Sequence, residues 1–312
     1  MKHLLLLFAC LLLFSCTHEK KKVKNDLVTM NLKGEVKSIT SYSYKAIENS
    51  GKVEKDSLKG AGVEIYNSSG FLVLDSSIMK NRNGFKLIQI FDEHNNRLER
   101  KLYKYGKLKA KTIKKYDEKN NVIEENTLAS PSDKLYPDSL AKTGNTYSYK
   151  YDTINEILEA VATQDGKPWY RAEYEYDTKG NLIKRKMYYA WDKGLSDFFR
   201  VKYDDKGNQL EKDDFNADSI LVFRFIDKYD DKGNLIQEIA RRKGDTLEFD
   251  EVKTYDDKGN LIRNIDYHKD SVVHWDWRYE YRKFDATGNW TEQVFYNKGK
   301  PETITERTIE YY

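Results

Sequence analysis

Along most of the chain, apolar and polar residues alternate in short runs, and polar clusters cut the runs apart. "LIKRKMYY" from Leu182, "LIQEIA" from Leu235 and "LIRNIDY" from Leu261 each follow one kind of cluster. "SDFFRVKY", "ILVFRFIDKY" and "TLEFDEVKTY" lead into the next. Runs of this length, rich in Tyr, Phe, Val and Ile and bounded by Gly, Asn and Asp, predict β-strands. Alternation of Tyr170, Tyr174 and Tyr176 with Arg171, Glu173 and Glu175 predicts one aromatic and one charged face. From Val36 to Tyr312 the pattern predicts roughly twenty strands in an antiparallel meander, with no sustained helical period.

The clusters between strands are copies of one phrase. "YDDKGN" stands at Tyr203, Tyr229 and Tyr255, and "YDTKGN" at Tyr176; weaker copies begin at Tyr66, Phe91, Tyr116, Tyr151 and Phe284. The nine copies follow one another at steps of 25 to 35 residues. Position two is Asp in every copy but the first, which has Asn67. Both side chains fold back onto backbone N–H groups two residues on. Position five is Gly70, Asn95, Asn120, Asn155, Gly180, Gly207, Gly233, Gly259 or Gly288. Gly and Asn share only their tolerance of the left-handed backbone region. The pair of constraints predicts a type I turn closed by a left-handed residue and a bulge. Calcium loops cluster several oxygen ligands, whereas Lys206, Lys232 and Lys258 at position four would repel a cation.

Each repeat is therefore a β-hairpin unit, and the fold class expected is an all-β antiparallel hairpin-repeat meander. A flat layer of about twenty strands would run about 95 Å, and right-handed twist should coil it into a curled or twisted elongated sheet. Composition sharpens this. With 39% hydrophobic and 34% charged residues, the chain is poorly supplied for a core on both faces of the sheet. The 24 tyrosines then read as cross-strand packing within the layer.

The N-terminus, "MKHLLLLFACLLLFSC", joins Lys2 to an apolar run too short to span a membrane, which predicts an export signal. Its end, "LFSC", resembles the lipobox of bacterial lipoproteins. That resemblance implies a signal over residues 1–15, a lipidated Cys16, and a cell-envelope location, at the outer membrane. Residues 16–31, including "THEKKKVKND", are expected to form a solvated tether, and residues 32–312 the repeat domain. Cys10 lies in the signal, so the mature chain would contain no internal disulfide. Loss of residues 1–15 removes Lys2 and lowers the formal charge from +3 to +2. Interspersed signs near neutrality argue against a nucleic-acid partner. "LEKDDF" and "LIKRKM" put charge on both faces of a strand, which lipid opposes, so a transmembrane barrel is not expected.

The lettering "YDDKGNLI" and "YDTKGNLI" resembles the RHS/YD-repeat family, in which tyrosine-aspartate hairpins coil into a β-sheet shell. "MNLKGEVKSITSYSY" from Met30 looks like the opening strand of small envelope lipoproteins that carry similar repeats. The chain is far shorter than the large members of the family, so the resemblance implies the repeat fold and not a toxin function.

Little in the sequence points to chemistry. None of the G-x-S-x-G, H-E-x-x-H, phosphate-loop or dinucleotide signatures occurs, so neither enzyme activity nor a cofactor is expected. His268 and His274 lie across one predicted turn without a recognisable carboxylate pattern, which reads as turn polarity and not as a metal site. "ASPSDKLYPDSLAKTG", from Ala129 to Gly144, is the longest insertion and is expected to be a disordered loop. One cluster does stand out. Trp275, Trp277, Tyr279 and Tyr281 alternate on one strand and must share a face, with Trp290 nearby. Such a strip either caps the end of the repeat array or presents rings to a glycan or protein. The expectation is a lipid-anchored, non-catalytic scaffold or binding module, with carbohydrate binding or processing as the alternative.

Overall fold

The computed structural model describes residues 24–80, 82–129, 144–153, 156–164, 166–192, 194–269 and 272–312. The expected signal, Cys16, Asn155 and nearly all of the long insertion lie outside the described residues. A short helix, α1 (Asp26–Thr29), precedes twenty strands. The first ten are β1 (Val36–Asn49), β2 (Lys52–Tyr66), β3 (Leu72–Met79), β4 (Arg82–Phe91), β5 (Arg97–Lys104), β6 (Lys107–Tyr116), β7 (Val122–Ala129), β8 (Gly144–Tyr151), β9 (Ile157–Gln164) and β10 (Lys167–Tyr176). The second ten are β11 (Leu182–Tyr189), β12 (Asp197–Tyr203), β13 (Gln209–Asn216), β14 (Leu221–Tyr229), β15 (Leu235–Arg242), β16 (Thr246–Tyr255), β17 (Leu261–His268), β18 (Val272–Phe284), β19 (Trp290–Asn297) and β20 (Lys300–Tyr311).

Every strand pairs antiparallel with its chain neighbour, and β1 also pairs with β20, from Val36–Tyr311 to Lys45–Thr303. The curled antiparallel hairpin sheet expected from the repeats is thus present and, more specifically, closes on itself into one barrel instead of staying elongated. Closure removes both edges, which in an open sheet would expose unpaired N–H and C=O groups to other chains.

The nine repeat turns occupy one rim of the barrel, here the turn rim, and the shorter hairpins occupy the far rim. The turn phrase folds as its residues require. In the turn from Asp177, the Lys179 and Asn181 N–H groups donate to Oδ1 at 2.9 and 2.8 Å, and Asn181 Nδ2 donates to Oδ2. The same three bonds recur at Asp92, Asp117, Asp204, Asp230 and Asp256. Position five is left-handed in every described copy, from φ 61° at Asn120 to 92° at Gly288. A bulge follows each described turn, as where Tyr176 faces Leu182. Successive repeats are tied by the leading tyrosine, whose hydroxyl donates to the position-seven carbonyl of the previous turn: Tyr116 to Arg97, Tyr151 to Val122, Tyr203 to Leu182 and Tyr255 to Leu235. The ninth copy has Phe284 there, and Tyr281 makes the bond to Leu261 instead, at 2.9 Å.

Register identifies the two faces of the wall. The outer face carries an equivalent ion pair in four of the repeat hairpins, Lys115–Glu124, Lys150–Glu159, Lys202–Glu211 and Lys283–Glu292, with lysines 63 to 74% exposed. The inner face carries Ala160, Ala162, Ala172, Phe199, Val201 and Ala240, all buried. It also carries Asp75, Asp197, Asp227 and Glu238, whose carboxyls burial holds above the usual range. A round ring of twenty strands has a backbone diameter of about 30 Å or more, too wide for side chains of opposite walls to meet. Among the described residues no aromatic contact crosses the lumen, and apart from the outer-face seam where the β1–β2 hairpin lies over β18–β20, substantial packing joins only ring neighbours.

The apolar cores sit at the seam. Residues 24–35, partly expected as tether, instead form a plug at the turn rim. Leu27 and Leu32 bury Val36, Ile39 and Tyr66 from the lumen side. Leu27 N–H donates to the Gly70 carbonyl, Lys33 N–H to Asn289 Oδ1, and Asn31 Nδ2 to Asn260 Oδ1, so the plug ties three neighbouring turns. On the outer face, the long β1–β2 hairpin folds its tip over β18–β20. Ala46 and Val53 pack with Val294, Tyr296 and Ile304, and Arg282 donates to the Val53 carbonyl at 3.0 Å.

Candidate ligand surface on the inner wall

The expected strip lies on the lumen face. Trp277 pairs with Asn264 and Asn297, Tyr279 with Phe295, and Tyr281 with Gln293, and this register continues into inner-face Thr305 and Ser43. Trp275 and Trp277 stack with centroids 5.2 Å apart and planes at 16°. Phe295 meets Trp277 edge-on at 6.2 Å and Tyr279 at 5.5 Å. Tyr281 touches Trp290 at 5.8 Å. All five residues singled out in the sequence thus join one surface, and Phe295 completes it from the neighbouring strand. A closed ring has no array end, so the capping role has no place here. The rings are half-buried, because no opposite layer covers them.

Polar groups border the rings. The Arg307 guanidinium lies 3.6 Å from the Trp290 centroid and donates to the Trp290 carbonyl. Burial lowers its pKa to about 10, against opposing pulls from Glu64, Tyr66 and Asp285. Burial pushes the Tyr281 hydroxyl up to about 12. Beside the strip, a row of acids crosses the inner wall: Asp227 faces Glu238, Glu238 faces Glu251, Glu251 faces Asp266, and Asp266 faces Trp275. Lys253 pairs with Glu251 at 2.6 Å, and Asn264 donates to it at 2.8 Å.

At the far-rim end of the strip, His268 and His274 come together, with ring centroids 4.5 Å apart. The carboxylate that sequence reading did not find is Asp266, which is 2% exposed. Its Oδ2 lies 3.2 Å from His274 Nδ1 and 3.5 Å from His268 Nε2. Strict alternation would put His274 on the face opposite Trp275. The register break between Asp266 and Tyr267 inserts an extra residue on β18 and brings His274 to Asp266 and against the Trp275 ring at 4.6 Å.

A second ring cluster at the far rim went unread in the sequence. Tyr189 and Trp191 stack at 4.8 Å, and Trp169 and Tyr170 join them, with Trp191 70% exposed. Trp191 follows the strand in a turn, where alternation assigns no face.

No family model and no curated protein matches the chain. Among solved structures, it is similar to the Photorhabdus luminescens Tc holotoxin pore, at 12% identity and TM-score 0.37, over 80% of this chain and 16% of that one. A TcdB2-TccC3 crystal structure matches at 13% identity and TM-score 0.27, over 76% of this chain and 16% of that one. A porin-like protein from Bacteroides uniformis matches at 8% identity and TM-score 0.38, over 89% of this chain and 99% of that one. The chain therefore spans about one sixth of the toxin chains it resembles.

Proposed function

We propose that the protein is a lipid-anchored, non-catalytic binding module of the bacterial envelope, and that its ligand surface is the aromatic inner wall of β18 and β19. The observation that carries this reading is the strip itself. Trp275, Trp277, Phe295 and Tyr279 form one ring cluster and Tyr281 and Trp290 a second, both on the face that looks into a lumen with no opposite layer. Rings left uncovered in this way favour ligands with flat apolar faces and hydroxyl edges. Carboxylates and amides beside them, such as Glu251 and Asn264, can accept from and donate to those hydroxyls. A glycan chain is the ligand class with that chemistry.

The anchor supports a defined orientation. The chain enters the barrel at the turn rim, where Tyr312 N–H donates to the Glu35 carbonyl. Seven residues lie between Cys16 and Lys24, a reach of at most about 28 Å over the eight steps of chain. A lipid on Cys16 would hold the turn rim toward the bilayer and leave the far rim, with the head of the strip, facing outward. A glycan array probed with wild-type protein and Trp277→Ala tests the function. Binding by the wild type and its loss in a variant that melts normally is the expected result. An array with no signal for the wild type overturns the glycan reading in favour of a scaffold.

A further inference from the structure

We propose that Asp266, His268 and His274 form a transition-metal site of the zinc class at the far rim. The inference goes beyond the binding-module reading and does not depend on it. The potential ligand atoms of the three residues lie within 4.8 Å of one another. Two imidazole nitrogens and a carboxylate oxygen are the donor set that zinc and its neighbours in the series take. The spacing fits as well. Bonds of about 2.0–2.1 Å to a tetrahedral zinc place ligand atoms about 3.3 Å apart. Asp266 Oδ2 stands 3.2 Å from His274 Nδ1 and 3.5 Å from His268 Nε2. Without an ion, that one oxygen faces both imidazoles; with one, it and the two nitrogens become three corners of a coordination shell.

Three further features favour a cation there. Asp266 is buried while His268 and His274 are about half exposed, so the site has a fixed base and an open mouth. The bulge in β18 orients His274 onto the carboxylate, and bulges commonly re-aim side chains at functional sites. The acid row from Asp227 through Glu251 ends at Asp266, so the carboxylate of the site is the last of a run of acids on the inner wall, in which Lys253 pairs with Glu251. Three protein ligands leave a position for water or for an oxygen of a bound molecule. Trp275 packs against His274, with ring centroids 4.6 Å apart, and its buried indole N–H has no acceptor among the described residues.

The test uses the tag-free full chain in detergent, with Zn²⁺ followed by calorimetry and Co²⁺ by visible absorption and by quenching of tryptophan emission. The expected result is one ion per chain, Co²⁺ bands of a four- or five-coordinate centre, and quenching from Trp275. His268→Ala and His274→Ala should each weaken binding by about tenfold or more, given that even outer-shell changes act on that scale. Both histidines are solvent-facing, so these variants should fold, and a melt of each confirms it. His18→Ala, in the N-terminal segment, should leave binding unchanged. Absence of saturable zinc binding up to about 1 mM, or binding that survives in the double histidine variant, overturns the proposal.

Discussion

Replacing Gly233 by valine and by asparagine isolates what the turn phrase demands. Gly233 sits at φ 85°, and a Cβ built there would meet nothing within 4 Å. The cost of substitution is therefore conformational and not steric. A left-handed backbone costs an ordinary residue about 1–2 kcal/mol, and a β-branched side chain lies at the upper end or above it. Asparagine should cost less than about 1 kcal/mol, because it tolerates this region and already occupies the equivalent position at Asn95 and Asn120. Gly70 supplies the contrast. It has nearly the same φ, 82°, but its Cβ would come within 2.5 Å of Asn25 Nδ2 and 3.1 Å of Leu27 Cδ1 in the plug. Gly70→Asn should thus add an overpacking cost of about 1–3 kcal/mol that Gly233→Asn avoids. Chemical denaturation of the three variants measures these differences, and each kcal/mol should also lower Tm by about 2–4 °C. Equal losses for Gly233→Val and Gly233→Asn would refute the turn geometry. A Gly70→Asn variant as stable as Gly233→Asn would refute the docking of the plug.

Trp277→Ala removes a half-buried ring touching Trp275 and Phe295, so it should cost less than the about 3–5 kcal/mol of a fully buried ring, while abolishing glycan binding; a full core-sized loss in a melt would return the strip to a structural role. Cys16→Ser should move the protein from the detergent phase to the aqueous phase in a partitioning assay, and a wild type found in the aqueous phase would end the lipoprotein reading. Asp227→Asn should stabilise the barrel at pH 7. Burial raises the Asp227 carboxyl above its unfolded value of about 3.9, so its charged form opposes folding above the folded pKa. The gain should shrink as pH falls through that pKa and vanish below about pH 4. Melts that show a pH-independent gain would contradict the assignment.

Strands and turns were legible in the sequence because each is specified by neighbours within ten residues. Aspartate at position two and glycine or asparagine at position five encode a turn wherever they stand. Position six carries an equally local signal: asparagine recurs there in seven of nine copies, and at Asp177 and its equivalents it closes the loop by donating to the aspartate. Barrel closure was not legible. Val36 meets Tyr311 across almost the whole chain, and neither strand differs locally from one at an open edge. The shared face of Trp275, Trp277, Tyr279 and Tyr281 followed from alternation, but whether that face looked inward depended on closure. The metal-type triad was hidden for another reason. Alternation separates His274 from Trp275, and only the bulge in β18 brings it to Asp266.

Closure of the barrel is the claim on which the lumen and its ligand surface depend, and the seam offers a direct measurement. Ser43 Oγ and Thr305 Oγ1 lie 3.2 Å apart across β1 and β20, on the inner face. Cysteines at these two positions, in a chain lacking Cys10 and Cys16, would be opposite one another in an antiparallel pair, within range of a disulfide after small adjustment. In an open sheet of the same twenty strands, the first and last would stand up to about 90 Å apart. The closed barrel predicts loss of both free thiols on mild oxidation of the folded monomer, with a faster-migrating band on non-reducing gels. Two thiols that stay titratable in the folded monomer would contradict it.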